Sequence, residues 1–183
     1  MDKPLIEQAA SSEQTRQATA FHEAGHAVIG RKMKLACGEA TIIPDANDGS
    51  LGGAIIANPL RDWERGEGPR RALADAFCIA LFAGAEAERL LSPAIHCGDD
   101  EDRRRVTGVL SDIGVSGASY VGDDIWERYE GRLQRRARDL VRVHRIEIGR
   151  VAQALIERGT LPADEVIKAP YPRLEQTQTA HSR

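Results

Sequence analysis

Aromatic residues are scarce: Phe, Trp and Tyr together make up 4% of the 183 residues. The interior must therefore be built from Ala, Val, Ile and Leu, which suits close helix packing better than a β-sandwich. Long hydrophobic runs are also missing. The longest spans residues 76–85, between Asp75 and Glu86, well short of the roughly 20 residues that cross a bilayer. It predicts a buried helix and no membrane insertion. The three cysteines, Cys37, Cys78 and Cys97, show no Cys-x-x-Cys spacing, which argues against a disulfide framework and for a reducing compartment. No basic region leads into an apolar stretch at the N-terminus, so a cytoplasmic location is expected. Charge of one sign is not in excess: a formal net charge of −3 gives no reason to expect a nucleic acid or an anionic membrane as partner. A Gly-x-x-x-x-Gly-Lys-Ser/Thr loop is absent, so ATP is not expected to bind this chain.

What remains, 42% hydrophobic and 29% charged residues, is the composition of one compact globular domain. Residues 11–35 predict a first helix, with Ser11 and Ser12 as N-cap and Ala18, Phe21, Gly25, Val28 and Ile29 on one face. Residues 39–43 and 51–57 flank a turn-rich segment and predict a β-hairpin with a long loop. A polar loop at 58–69 precedes a helix over 70–91, ended by Ser92 and Pro93. The acidic run at 99–102 predicts the start of a helix reaching about Ile113, since carboxylates favour the positive end of the helix dipole. A Gly- and Ser-bearing connection at 114–122 leads to one long helix over 123–158, stopped by Gly159. A short helix at 163–169 and a polar, disordered tail at 170–183 complete the chain, with residues 1–10 as an extension before the domain at 11–169.

The chemistry is concentrated at residues 22–26, His-Glu-Ala-Gly-His. On a helix, positions i and i+4 lie one turn apart on the same face, so His22 and His26 can offer two imidazole nitrogens to one metal ion. Glu23 is one step round, where it can take a proton from a metal-activated water. Gly25 allows another element or a substrate to approach closely. The plainer alternative is a polar patch on a packed helix. A catalytic zinc takes three protein ligands and keeps a fourth position open, so a third ligand is needed. The pattern with a further Gly and His is excluded, because Ile29 and Lys32 occupy those positions. Glu86, Glu88, Asp99, Asp100 and Asp102 all stay open on spacing.

The stretch from Thr19 to Arg31 resembles the active-site helix in the peptidase domain of the FtsH family of ATP-dependent zinc metalloproteases. Further resemblances follow in the family's order. Residues 41–44 with Leu51 and Gly52 are similar to its hairpin beside the active site, 83–88 to its Gly-Gly-Arg-Ala-Ala-Glu segment, and 98–107 to the segment with its third zinc ligand. The resemblance, which covers about residues 18–165, implies a mainly α, zincin-like metallopeptidase domain with a small hairpin next to the active-site helix. It implies one zinc ion, with Asp102 as third ligand because the family's aspartate follows a glycine by four residues. It implies a polypeptide substrate, and ring assemblies of the family make a homo-oligomer a further expectation. Extra turn residues at 45–50, and Glu86 where the family has arginine, depart from its pattern. The family carries an ATPase and membrane helices on the same chain. Here neither is legible, so the expectation is a peptidase domain standing alone, with a separate ATPase as a partner.

The mechanism expected is metal-assisted hydrolysis of peptide bonds, with Glu23 as general base. Glu88 is a candidate for a carboxylate orienting a liganding imidazole, against the plainer reading of a solvated helix residue. A substrate strand can be added to the hairpin edge near 51–56, though an ordinary hairpin is the simpler account. His96 and His144 are expected to be structural, the latter in the core, and Cys97 is set aside as ligand in favour of Asp102. The arginines at 103–105 and along 132–145 are expected to be solvated faces. The competing function is a non-catalytic relative that keeps a structural metal and acts as a peptide-binding or accessory subunit.

Overall fold

The computed structural model describes residues 5–47, 49–61, 70–91, 99–114 and 124–168. His96, Cys97 and Gly98, most of the 114–122 connection, and the 170–183 tail with His181 lie outside them. Six helices and a three-stranded antiparallel sheet are seen among the described residues.

Helix α1 runs over Leu5–Lys32. It begins before the expected start, so Ser11 and Ser12 lie within the helix rather than at its N-terminus. From Ala18 to Gly30 nearly every side chain is buried, Phe21 alone being half-buried, so the motif at 22–26 is placed in the interior. The helix stops because Lys34 takes a left-handed conformation (φ 62°). Leu35 N–H then donates to Gly30 O (3.0 Å) and Lys34 N–H to Arg31 O (2.9 Å), the paired bonds that satisfy the last carbonyls of a helix.

Strand β1 (Cys37–Thr41) pairs with β2 (Gly53–Ile56), with Ala40 opposite Ala54, Thr41 opposite Gly53 and a register shift between Cys37 and Ala40. The expected hairpin is therefore present, with its first strand displaced towards the N-terminus. A third strand, β3 (Thr160–Leu161), was not foreseen and pairs antiparallel with the other side of β1. The strand order β2-β1-β3 leaves β2 at an edge. Gly52 brings that edge onto α1: a Cβ there would lie 2.6 Å from Thr41 O and 2.9 Å from Thr19 Cγ2.

Helix α2 (Arg70–Glu88) is the axis of the fold, and residues 76–88 are buried on every side, as the apolar run predicts. Helices α1, α3 (Asp99–Asp112) and α4 (Asp124–Val143) all pack on it, and α5 (Arg145–Arg158) packs on α1. Helix α6 (Ala163–Lys168) packs against β1. The single helix expected over 123–158 is instead two, α4 and α5, separated at His144 (φ −98°, ψ 15°). His144 is not in the core: its side chain is partly exposed and meets Glu147 at 3.4 Å. Buried Leu133, Ala137 and Val141 on α4, and Ile148, Val151 and Leu155 on α5, continue the core across the break.

Two glycines set how closely α1 and α2 approach. A Cβ on Gly25 would lie 2.5 Å from Ala83 O and 2.7 Å from Ala87 Cβ. On the opposite helix, a Cβ on Gly84 would lie 2.5 Å from His26 Nε2 and 2.7 Å from His22 Nε2. Only a residue without a side chain fits at either place.

Candidate metal centre

His22 and His26 project from one face of α1 with their rings edge to face, centroids 4.5 Å apart. Each Nδ1 is committed outward: that of His22 donates to Glu88 Oε1 (2.5 Å) and that of His26 to Ala80 O (2.8 Å). Both partners are acceptors, a carboxylate and a carbonyl, so each Nδ1 carries the hydrogen. In a neutral ring Nε2 is then a bare lone pair. The two Nε2 atoms are 2.9 Å apart, and Asp102 Oδ2, arriving from α3, is 3.1 Å from one and 2.9 Å from the other. Three acceptors facing one another repel unless a cation lies among them.

The electrostatics express the same demand. Burial alone would lower the His22 pKa, but hydrogen bonds to Asp102 and Glu88, with the negative field of Glu23, push it up to about 10. Burial would raise the Asp102 carboxyl; the facing imidazoles, His26 foremost, hold it well below the usual carboxylate range. A proton or a metal cation supplies the positive charge that the cluster needs. Glu23 is buried beside the imidazoles, and that burial raises its pKa against their pull, with Asp102 and Glu88 adding to the rise.

These donors suit zinc. Two imidazole nitrogens and one carboxylate oxygen form a three-ligand set that leaves a fourth position open. The separations of 2.9–3.1 Å approach the roughly 3.3 Å edge of a tetrahedron with bonds of about 2.0–2.1 Å. Gly84, whose missing side chain leaves room against both Nε2 atoms, keeps that space clear.

The acidic residues that spacing left open are separated by the fold. Asp102 faces the inner nitrogens, and Glu88, 1% exposed, lies behind His22 rather than in solvent. Glu86 turns away to α4, where its carboxylate takes both Nε (3.0 Å) and Nη2 (3.2 Å) of Arg138. Asp100 is exposed, and the side chain of Asp99 lies outside the described residues. Arg138 departs from the expected solvated faces, since it neutralises buried Glu86, whereas Arg105 is exposed as expected but also stacks on Phe77, 5.4 Å from the ring centroid. A cavity of ≈ 390 Å³ opens on the cluster, lined by His22, Glu23, His26 and Asp102 together with residues 49–54. The roles of Gly84, the Ala80 carbonyl and Arg105 were not foreseen. Only the glycine had a visible signal, as part of the 83–88 segment.

The sequence model of peptidase family M41 matches residues 9–122, a span that holds every member of this cluster. The chain belongs to that family. Membership makes it a peptidase domain, with the mainly α fold and small sheet seen here. An ATP-dependent zinc metalloprotease FtsH 1 from Symbiobacterium thermophilum is 30% identical over 186 residues, covering 89% of this chain and 30% of the relative. FtsH 3 from Sorangium cellulosum is 30% identical over 180 residues, covering 87% and 29%. The mitochondrial inner membrane i-AAA protease supercomplex subunit YME1 of Saccharomyces cerevisiae is 29% identical over 180 residues, covering 82% and 23%. The M41 chain thus spans less than a third of the length of these curated relatives. No described helix is long and apolar enough to cross a membrane.

Proposed function

We propose that this M41 domain is a zinc-dependent endopeptidase in which His22, His26 and Asp102 hold one zinc ion and Glu23 is the general base. The observation that carries the reading is the convergence of three acceptor atoms whose outer hydrogen bonds fix both imidazoles in the ligating tautomer. Zinc held there would supply a Lewis acid for the scissile carbonyl and for the hydrolytic water.

Everything else falls to the chain's own residues. Glu23, buried at the cavity wall, accepts the water's proton and returns it to the leaving amine, a role worth roughly a hundred- to ten-thousand-fold in rate. Burial raises its pKa, which strengthens its hold on the proton it takes from the water. Glu88 and the Ala80 carbonyl hold the rings in orientation. The outer edge of β2, unpaired among the described residues, adjoins the cavity through Leu51, Gly52, Gly53 and Ala54. It suits an extended polypeptide, bound through backbone hydrogen bonds with little demand on sequence. An ATPase that delivers unfolded polypeptide, carried outside residues 1–183, and assembly with copies of itself belong to the same proposal.

The test compares wild type with Glu23→Gln for zinc content and for cleavage of casein, an unfolded substrate. Retained zinc with cleavage reduced at least a hundredfold is expected. Undiminished cleavage by the variant refutes the role given to Glu23.

A further inference from the structure

Four Asp, Glu and Arg side chains line the active-site cavity: Glu23, Glu101, Asp102 and Arg105. Three are accounted for. Asp102 faces the imidazoles, Glu23 is buried beside them, and Glu101 pairs with Arg104 at 2.6 Å. Arg105 is different. Among the described residues its guanidinium makes no hydrogen bond, and its ion pair is a long one, 3.8 Å from Nη1 to Asp102 Oδ1. That carboxylate already serves the imidazoles through its other oxygen. The guanidinium lies over the face of Phe77, a ring buried in the core, which fixes it from below and, among the described residues, leaves its edges free of hydrogen bonds. It lines the same cavity as the edge-strand residues Gly53 and Ala54, with 40% of its side chain exposed.

We propose that Arg105 is a specificity-determining residue that receives a carboxylate of the bound polypeptide beside the reacting centre. The inference rests on the peptidase reading above. A planar guanidinium backed by an aromatic ring is preorganised for bidentate capture of a carboxylate, and outside the proposed metal centre no other Arg or Lys lines this cavity among the described residues. The carboxylate can be an Asp or Glu side chain, or the C-terminus of a short peptide. A chain lying along β2 would bring either within reach of α3, so the preference is for charge and not for a particular sequence.

Binding to Glu23→Gln, which holds peptides uncleaved, tests this by fluorescence anisotropy with three labelled peptides. One carries Glu and an amidated C-terminus, the second Gln and an amidated C-terminus, and the third Gln and a free C-terminus. The first is expected to bind roughly three- to tenfold tighter than the second, the range of one partly exposed charge-assisted contact. Adding Arg105→Gln should remove the difference, Arg105→Lys should keep part of it, and Arg105→Glu should reverse it. A gain confined to the third peptide assigns the carboxylate to the C-terminus. An unchanged preference in Arg105→Gln, with circular dichroism and zinc content as in the parent, overturns the proposal, as does failure of all three peptides to bind. Arg105-dependent binding in a wild-type chain that cleaves none of them would sink the peptidase reading and leave the carboxylate site standing.

Discussion

Replacing Gly84 with alanine adds one methyl group at the point where α2 meets both imidazoles. The new carbon would lie 2.5 Å from His26 Nε2 and 2.7 Å from His22 Nε2, whereas ordinary contact begins near 3.4 Å. One ring or both must retreat by about 0.9 Å, against a tolerance of about 0.2 Å in metal-ligand distances. Neither ring is free to do so, because His26 Nδ1 is bonded to Ala80 O, one turn earlier on the same helix, and His22 Nδ1 to Glu88. Sliding the helices apart would open the contact between Gly25 and Ala83. The variant is therefore expected to lose about 1–3 kcal/mol of stability from overpacking. Its zinc affinity should fall at least tenfold to a hundredfold, the range for disturbing a ligand's support. Thermal unfolding in EDTA gives the first number and competition with a chromogenic chelator the second. Gly108→Ala is the control: it adds a methyl into open space on α3 and should be neutral or stabilising by up to about 1 kcal/mol. Zinc binding in Gly84→Ala within twofold of wild type would refute the packing reasoning.

Three further outcomes follow from the same geometry. Glu88→Gln keeps the shape behind His22 but weakens its acceptor, and should lower zinc affinity by about ten- to a hundredfold in the same competition assay. Arg138→Ala leaves buried Glu86, among the described residues, with Arg89 at 2.8 Å and should cost about 1–2 kcal/mol by urea unfolding, while Arg104→Ala, from an exposed pair, should cost under about 0.5 kcal/mol. The metal-free His22, raised from 6.5 to about 10, holds a proton that zinc must expel, so apparent zinc affinity should climb about tenfold per pH unit between pH 7 and 9. By linkage, that His22 stabilisation is fully present below its unfolded pKa of 6.5 and is lost as pH rises through about 10. Melting temperature in EDTA should fall over that window, and a flat profile would contradict the shift.

How far the sequence revealed the fold depends on how each feature signals itself. The motif helix, the hairpin, the buried α2 and the acidic start of α3 are legible because composition and period mark them over many residues. The division between α4 and α5 is not, since the buried positions keep their phase through Ala137, Val141 and Ile148 and no Gly or Pro marks the single non-helical residue His144. Strand β3 is two residues long and has no period to read, although Gly159, the expected helix stop at φ 81°, delivers the chain into it. Ser11 and Ser12 mimic an N-cap inside α1, because the same residue types cap a helix or sit on its exposed face. At the site, His22, Glu23 and His26 are adjacent in the chain and declare themselves. Asp102 and Glu88 reach opposite nitrogens of His22 only through the packing of α2 and α3 on α1. The placement of Arg105 on Phe77 is likewise a tertiary fact, invisible in a run of three arginines.

Zinc analysis of the purified chain, with His22→Ala and Asp102→Ala beside it, tests the central claim most directly. The account predicts one zinc per chain in wild type, lost or weakened at least a hundredfold in both variants. Zinc retained at full affinity by Asp102→Ala would contradict the three-ligand centre.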